Sequence, residues 1–277
     1  MTLKWINKIA IVGAGSMGRG IAQVFALNGY AVALIDRDDK ILKAALEGIR
    51  EYTDKRVWPG LSELIVPSVR MEAASDADVV VESVYEDVQV KKGIFKALSS
   101  ICMPSAIIAS NTSSISIDEL AGFISDPGRF LGMHFMNPPK VMKLVEIVKG
   151  TKTAARTVRA AVELTRDIGK EPAVVSDSPG FVSNRLVFAS IGEAIRLYES
   201  GVATKEDIDK VMKYGMNHPL GPLELADFIG LDVCKNIMEY MLEHLEDEKY
   251  APPSTLLSLV KAGKLGRKTK EGFYKYD

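Results

Sequence analysis

His134 lies in the apolar stretch Gly132-Met133-His134-Phe135-Met136-Asn137-Pro138-Pro139, and Glu146 sits twelve positions on, inside Lys143-Leu144-Val145-Glu146-Ile147-Val148. A carboxylate flanked by β-branched residues is poorly solvated and needs a partner. Two short strands joined through the Pro-Pro turn would bring Glu146 alongside His134. An imidazole held by a buried carboxylate is a general acid/base unit, able to take or return a proton near neutral pH. Taken alone, such a pair is as readily structural as catalytic.

The first forty residues supply a second reactant. Lys8-Ile9-Ala10-Ile11-Val12 reads as a buried parallel strand, followed by Gly13-Ala14-Gly15-Ser16-Met17-Gly18 and then by helical apolar spacing from Ile21 to Leu27. A second strand, Ala31-Val32-Ala33-Leu34-Ile35, ends at Asp36. In this pattern Gly13 permits a tight turn, Gly15 lets backbone approach a pyrophosphate, and Gly18 lets helix and strand pack closely. The helix N-terminus offers N–H groups to the phosphates. Asp36 is placed to accept hydrogen bonds from ribose hydroxyls and to repel a 2′-phosphate, which favours NAD over NADP. Arg37, next in the chain, pulls the other way. A lone GxGxxG is common by chance, but a strand before it, a helix after it and an acid ending the second strand make a Rossmann site.

Two such features need a large scaffold, and the chain has 277 residues, enough for more than one domain. Its formal net charge of −1 provides no basic field to recruit nucleic acid. Cys102 and Cys234 are too few for a disulfide framework and read as small buried residues. The three histidines, His134, His218 and His244, have no metal-site spacing. The chain enters its first strand within eight residues and contains no membrane-length apolar run, so the expectation is a cytosolic protein without membrane contact.

Alternating strands and helices continue to about residue 176: helix through Ile41 to Ile49, strand at Asp78–Glu82, helix from Val88 to Leu98, strand at Ala106–Ser110. The His134 and Glu146 strands, a helix from Ala154 to Ile168 and a strand at Ala173–Val175 complete the series. Residues 50 to 71 read as a charged, broken segment. Repeated βα units predict a doubly wound, mostly parallel sheet. Beyond Ser178-Pro179-Gly180 the pattern is helical: Val182 to Glu199, a helix opened by Thr204, and two stretches between Leu223 and Leu245 split near Gly230. The expected organisation is a Rossmann domain over residues 1–179 and a smaller all-helical domain over 180–277. Such a helical tail commonly packs on a second copy, which predicts a homodimer.

The chain resembles the L-3-hydroxyacyl-CoA dehydrogenases, especially their short-chain 3-hydroxybutyryl-CoA branch, from Ile9 to Tyr276. The resemblance rests on the stretches containing Gly13 and His134 and on Ala109-Ser110-Asn111-Thr112-Ser113-Ser114. It continues through Val141-Met142-Lys143-Leu144-Val145-Glu146, Pro179-Gly180-Phe181-Val182-Ser183-Asn184-Arg185, His218-Pro219-Leu220-Gly221-Pro222 and Leu265-Gly266-Arg267-Lys268-Thr269. Their order and spacing together are specific. The resemblance implies His134 as catalytic base, Glu146 as its partner, and Ser113 and Asn184 binding the substrate's reacting oxygen or orienting the histidine. It implies NAD contacts at Gly13, Gly15, Ser16, Met17, Gly18, Asp36, Glu86, Lys91, Asn111, Ser113 and Asn137. The implied reaction is reversible oxidation of an L-3-hydroxyacyl-CoA to the 3-ketoacyl-CoA, a step of fatty-acid β-oxidation and butanoate metabolism. A dehydrogenase of the same fold acting on a free 3-hydroxy acid is the second reading, and a non-catalytic dinucleotide-binding protein the third.

Plainer readings stand beside these. Ser113 and Ser114 have the spacing of helix caps, Asn184 that of a helix-start residue, and Lys91 that of a solvated helix face. His218 reads as a turn or packing histidine, and His244 as exposed. The sequence also departs from the family pattern. Residues 50–71 are shorter than the usual helical hairpin that helps hold CoA, Met136 replaces a Phe, Pro139-Lys140 alters the turn, and Lys270-Glu271 replaces a Gly-containing pair. Arg50, Lys55 and Arg56 have the charge to meet CoA phosphates, but the resemblance fails over this segment and assigns none of them that role.

Overall fold

The structure, a computed structural model, describes residues 6–277, and the chain divides into two compact units, one up to Asp177 and one from Ser178 to Asp277. The first unit runs β1 (Lys8–Val12), α1 (Ser16–Leu27), β2 (Ala31–Ile35), α2 (Asp39–Glu51), α3 (Trp58–Leu64) and β3 (Ile65–Ser68). It continues through β4 (Val79–Glu82), α4 (Val88–Ile101), β5 (Ile107–Ser110) and α5 (Ile117–Ala121), then β6 (Phe130–Phe135), β7 (Leu144–Lys149), α6 (Ala155–Asp167) and β8 (Glu171–Ser176).

These strands form one eight-stranded sheet in the order β3-β2-β1-β4-β5-β6-β7-β8. Every pairing is parallel except that of β6 with β7. The run Val79-Val80-Val81-Glu82 is wholly buried, as a strand covered on both faces must be. Ile9, Ile11, Phe25, Val81, Met133 and Ile147 belong to one apolar cluster. Each large side chain so buried contributes about 1.5–3 kcal/mol relative to exposure. Sheet growth reverses direction between β1 and β4, which opens a crevice at their carboxyl ends. The register aligns Val12, Glu82, Ser110 and Gly132 across that edge.

Helix starts follow local chemistry. Asp38 accepts the Lys40 N–H at 2.8 Å to open α2, and Asp87 accepts that of Val90 at 2.9 Å to open α4. The broken segment after α2 contains one further helix and one further strand. Pro67 fits β3 because β3 pairs with β2 alone, and an edge strand tolerates a residue without N–H.

The second unit contains α7 (Ser183–Glu199), α8 (Lys205–Lys210), α9 (Pro222–Ile229), α10 (Leu231–Leu245) and α11 (Ser254–Lys261). Its core joins Phe188, Ile191 and Ile195 of α7 to Leu223, Cys234, Met238 and Met241. The Thr204 hydroxyl caps α8 by accepting the Asp207 N–H at 3.2 Å. Buried Asp227 fixes the C-terminal tail, accepting the N–H groups of Phe273 and Tyr274 at 2.9 Å and the Tyr276 hydroxyl at 3.0 Å. Gly272 is required there, because a Cβ would stand 2.0 Å from Asp227 Oδ1. No helix among the described residues is long and apolar enough to cross a membrane.

Candidate active site

Alternation along β6 and β7 decides which side chains meet. Leu131, Met133, Phe135, Val145 and Ile147 turn into the main core, so His134 and Glu146 fall on the opposite face. The antiparallel register sets them directly across from each other, with Nδ1 of His134 2.8 Å from Oε2 of Glu146. Glu146 is 1 % exposed and His134 8 %. A carboxylate accepts at Nδ1, so Nδ1 carries the proton and Nε2 is the ring nitrogen suited to exchange one. On the same face Gly132 leaves room for α5, since a Cβ there would stand 2.9 Å from Ile117. The turn is closed from below by buried Lys170, which donates to the carbonyls of Pro139 at 2.5 Å and Met142 at 2.7 Å. Burial lowers the pKa of that ammonium.

The carboxyl end of β1 carries the three glycines. Gly13 has φ +102° and a Cβ there would meet the Ser83 carbonyl at 2.4 Å; a Cβ on Gly18 would meet the Gly13 carbonyl at 1.8 Å. Gly15 differs from both, because a Cβ there would have nothing within 4 Å. Gly15 is also the N-cap of α1 and makes no side-chain cap bond. Open space above a bare helix N-terminus fits a pyrophosphate, with Ser16 and Met17 on the first turn. Asp36 ends β2, and its Oδ2 accepts the Ala14 N–H at 2.8 Å, so the acid also braces the glycine turn.

At the ends of β4 and β5 the polar side chains close a ring. Lys91 Nζ donates to Glu82 Oε1 at 2.7 Å and lies 3.1 Å from Glu86 Oε2. Ser110 Oγ donates to Glu82 Oε2 at 2.7 Å and accepts the Thr112 N–H at 3.2 Å. The Thr112 hydroxyl returns to Glu86 Oε1, which also accepts the Ser113 N–H at 2.9 Å. Burial pushes the Glu86 carboxyl up, but the Lys91 ammonium and the bonds from Thr112 and Ser113 outweigh it and hold the pKa below the ordinary value. Asn111 ties this edge to the histidine strand, its Oδ1 accepting the Phe135 N–H at 2.9 Å.

The structure corrects two of the plainer sequence readings. Lys91 is 1 % exposed and no solvated face. The helix after β5 is capped by Ser116, which accepts the Glu119 N–H at 3.2 Å, while Ser113 and Ser114 bond to Glu86. Asn137 is exposed at the end of β6, and Asn184 lies in the first turn of α7 in the second unit. His218 is an exposed turn residue, and His244 is exposed against Tyr240. Burial pushes the Cys234 thiol up to about 12 and raises that of Cys102, in keeping with packing roles. No group of three His, Cys, Asp or Glu residues that could hold a metal occurs among the described residues. Arg50 and Lys55 line an open hollow of about 570 Å³ beside Trp58, to which neither His134 nor Glu146 contributes. Glu82 was not legible as a site residue: its one sequence signal is an acid ending a valine run nine positions before a lysine.

Comparison with known proteins identifies the family. Residues 8–178 match the family model described as 3-hydroxyacyl-CoA dehydrogenase, NAD binding domain, and residues 180–276 match the C-terminal domain of the same family. The chain is 44 % identical to a 3-hydroxybutyryl-CoA dehydrogenase of Bradyrhizobium diazoefficiens, covering 98 % of this chain and 96 % of the relative. It is 42 % identical to a 3-hydroxybutyryl-CoA dehydrogenase of Clostridioides difficile, covering 98 % and 99 %. Among solved structures it is similar to the (S)-3-hydroxybutyryl-CoA dehydrogenase PaaH1 from Ralstonia eutropha, with TM-score 0.93, 40 % identity and coverage of 98 % and 99 %.

Proposed function

Because the chain belongs to the 3-hydroxyacyl-CoA dehydrogenase family and is an NAD-dependent oxidoreductase of that kind, we propose that it acts on short-chain L-3-hydroxyacyl-CoA through His134 and Glu146. The observation that carries this reading is the 2.8 Å contact between those side chains across a strand pair with Glu146 buried. Oxidising a secondary alcohol requires the O–H proton to leave as the carbonyl forms. His134 takes that proton at Nε2, and in the reverse direction returns it. Glu146 holds the Nδ1–H tautomer and stabilises the imidazolium, as the acid does in hydrolase triads. NAD supplies the hydride acceptor when bound.

The dinucleotide is held at Gly13, Gly15, Ser16, Met17 and Gly18, with Asp36 at a ribose, Glu86, Lys91, Asn111 and Asn137 around ribose and nicotinamide, and Ser113 a further contact. The open space over Gly15 supports the pyrophosphate position. Ser113 and Asn184 bind the substrate's reacting oxygen or orient His134, Asn184 on the strength of the family resemblance. Residues 1–179 form the NAD-binding domain and 180–277 the substrate and dimerisation domain. A homodimer through the latter is supported by its exposed apolar side chains, among them Leu186, Tyr214, Met216 and Phe228. The enzyme is placed in the cytoplasm, in line with its bacterial relatives.

NADH consumption across 3-ketoacyl-CoAs of increasing length tests the substrate. Acetoacetyl-CoA should be turned over, with kcat/KM falling as the chain lengthens. Free acetoacetate reduced as well as its CoA ester would replace this reading with the free 3-hydroxy acid.

A further inference from the structure

Among the described residues, Glu82 is the one fully buried carboxylate at the sheet's carboxyl edge that the acid/base chemistry does not use. It is 0 % exposed at the end of β4, with Val12 of β1 on one side and Ser110 of β5 on the other. Its Oε1 accepts Lys91 Nζ and the Val84 N–H, each at 2.7 Å, and its Oε2 accepts Ser110 Oγ at 2.7 Å. A carboxylate taken out of water is retained only where charge and hydrogen bonds compensate it fully. Simple packing would be served by an apolar side chain of the same volume.

The compensation has a direction. Glu82, Lys91, Glu86, Thr112 and Ser110 make one closed circuit of hydrogen bonds, and Glu82, Lys91, Ser110 and Thr112 are all at most 1 % exposed. Only Glu86 reaches solvent appreciably, its side chain 34 % exposed. The circuit holds two carboxylates against one ammonium, so it carries a surplus negative charge in a poorly screened position. Through Glu86 it also fixes the backbone of Ser113 and Ser114.

We propose that Glu82 is a positioning residue of the dinucleotide site, which locks Lys91 and Glu86 and biases the site toward the oxidised, more positively charged cofactor. This rests on the proposed placement of Glu86 and Lys91 around the ribose and nicotinamide of the cofactor. NAD carries one more positive charge on its nicotinamide than NADH, so a surplus negative charge nearby favours NAD and leaves NADH largely unaffected. Replacing Glu82 by glutamine keeps shape and an acceptor for Lys91 but makes the circuit formally neutral.

The test is direct binding to the full-length protein, with NADH followed by its fluorescence and NAD by competition. Glu82→Gln should raise the dissociation constant of NAD by about 3- to 10-fold while that of NADH stays within about 2-fold. Ser110→Ala breaks the circuit without changing its charge, so both constants should rise together at an unchanged ratio. A Glu82→Gln protein with the wild-type ratio overturns the electrostatic bias. Wild-type constants for both dinucleotides in Ser110→Ala overturn the positioning role, even should Glu82→Gln fail to fold. Failure of the wild-type protein to bind either dinucleotide would instead sink the underlying cofactor placement.

Discussion

His134 and Glu146 face each other across the antiparallel pairing of β6 with β7, in a sheet whose other pairings are parallel. The geometry is consequential. In a directly opposed antiparallel pair the Cβ atoms lie about 4.5–5.5 Å apart, near enough for a short bond between one long and one medium side chain. A connection of eight residues, 136–143, joins the strands, and Lys170 grips it through two carbonyls. The imidazole is therefore held by strand backbone on one side and a buried carboxylate on the other.

Removing either member should separate chemistry from binding. His134→Ala and Glu146→Gln are expected to lower kcat by about 10²- to 10⁴-fold, the range of a general acid/base contribution. NADH affinity should stay within a few-fold of wild type, because the pair sits on β6 and β7 while the glycine turn follows β1. Steady-state kinetics paired with fluorescence titration read both quantities. Near-normal turnover in either variant would remove the pair from the reaction.

Gly15 and Gly18 offer a sharper contrast, since both are glycines of one motif yet meet opposite surroundings. Gly15→Ala adds a methyl group to open space, so thermal stability should change by no more than about 2 °C. The same methyl would stand where the pyrophosphate approaches, and NADH binding should weaken by at least about 10-fold. Gly18→Ala sets a Cβ 1.8 Å from the Gly13 carbonyl and should destabilise or unfold the protein. Calorimetry and NADH titration of the two variants check this. Equal melting temperatures for both would refute the division of labour.

The features legible in the sequence were those written as a local period. The apolar runs around His134 and Glu146, joined through Pro138-Pro139, marked two neighbouring strands, and their register brings the two side chains face to face. The glycine spacing and the acid ending β2 were equally local. Contacts between separate elements were harder to see. Lys91 sits where a helix repeat suggests solvent, and only folding reveals that its face of α4 meets the end of β4. In Thr112-Ser113-Ser114-Ile115-Ser116 several hydroxyls compete for the capping position, and Ser116 takes it while the hydroxyls of Thr112 and Ser114 donate to Glu86. β3 was hidden because its four residues include Pro67, which the sequence presents as a strand breaker and the sheet edge accepts.

Asp36 should govern cofactor choice while also bracing the turn. Asp36→Ala loses the acceptor for the Ala14 N–H as well as the charge, whereas Asp36→Asn keeps an acceptor and removes only the charge. Both variants should bind NADP better relative to NAD, by about 10-fold or more in the ratio of kcat/KM values. Only Asp36→Ala should also lose NAD affinity through a loosened glycine turn. An unchanged cofactor ratio in both would take Asp36 out of ribose recognition.

Glu86 links the loop of Ser113 to the protein's acid response. Its carboxyl is held below the ordinary value of 4.5 in the folded protein, so the unfolded chain binds the proton more readily. For a carboxylate depressed on folding, the stabilisation is complete above the unfolded value and is lost as pH falls through the folded one. Glu86→Gln cannot titrate and lacks this contribution at every pH. The stability gap between wild type and Glu86→Gln should therefore be widest at neutral pH and shrink as the pH drops below about 4.5. Urea unfolding of both proteins at neutral pH and in steps below that value measures it. A gap that stays constant into strong acid would mean that the ionised carboxylate does not support the bonds from Lys91, Thr112 and Ser113 in the way their geometry indicates.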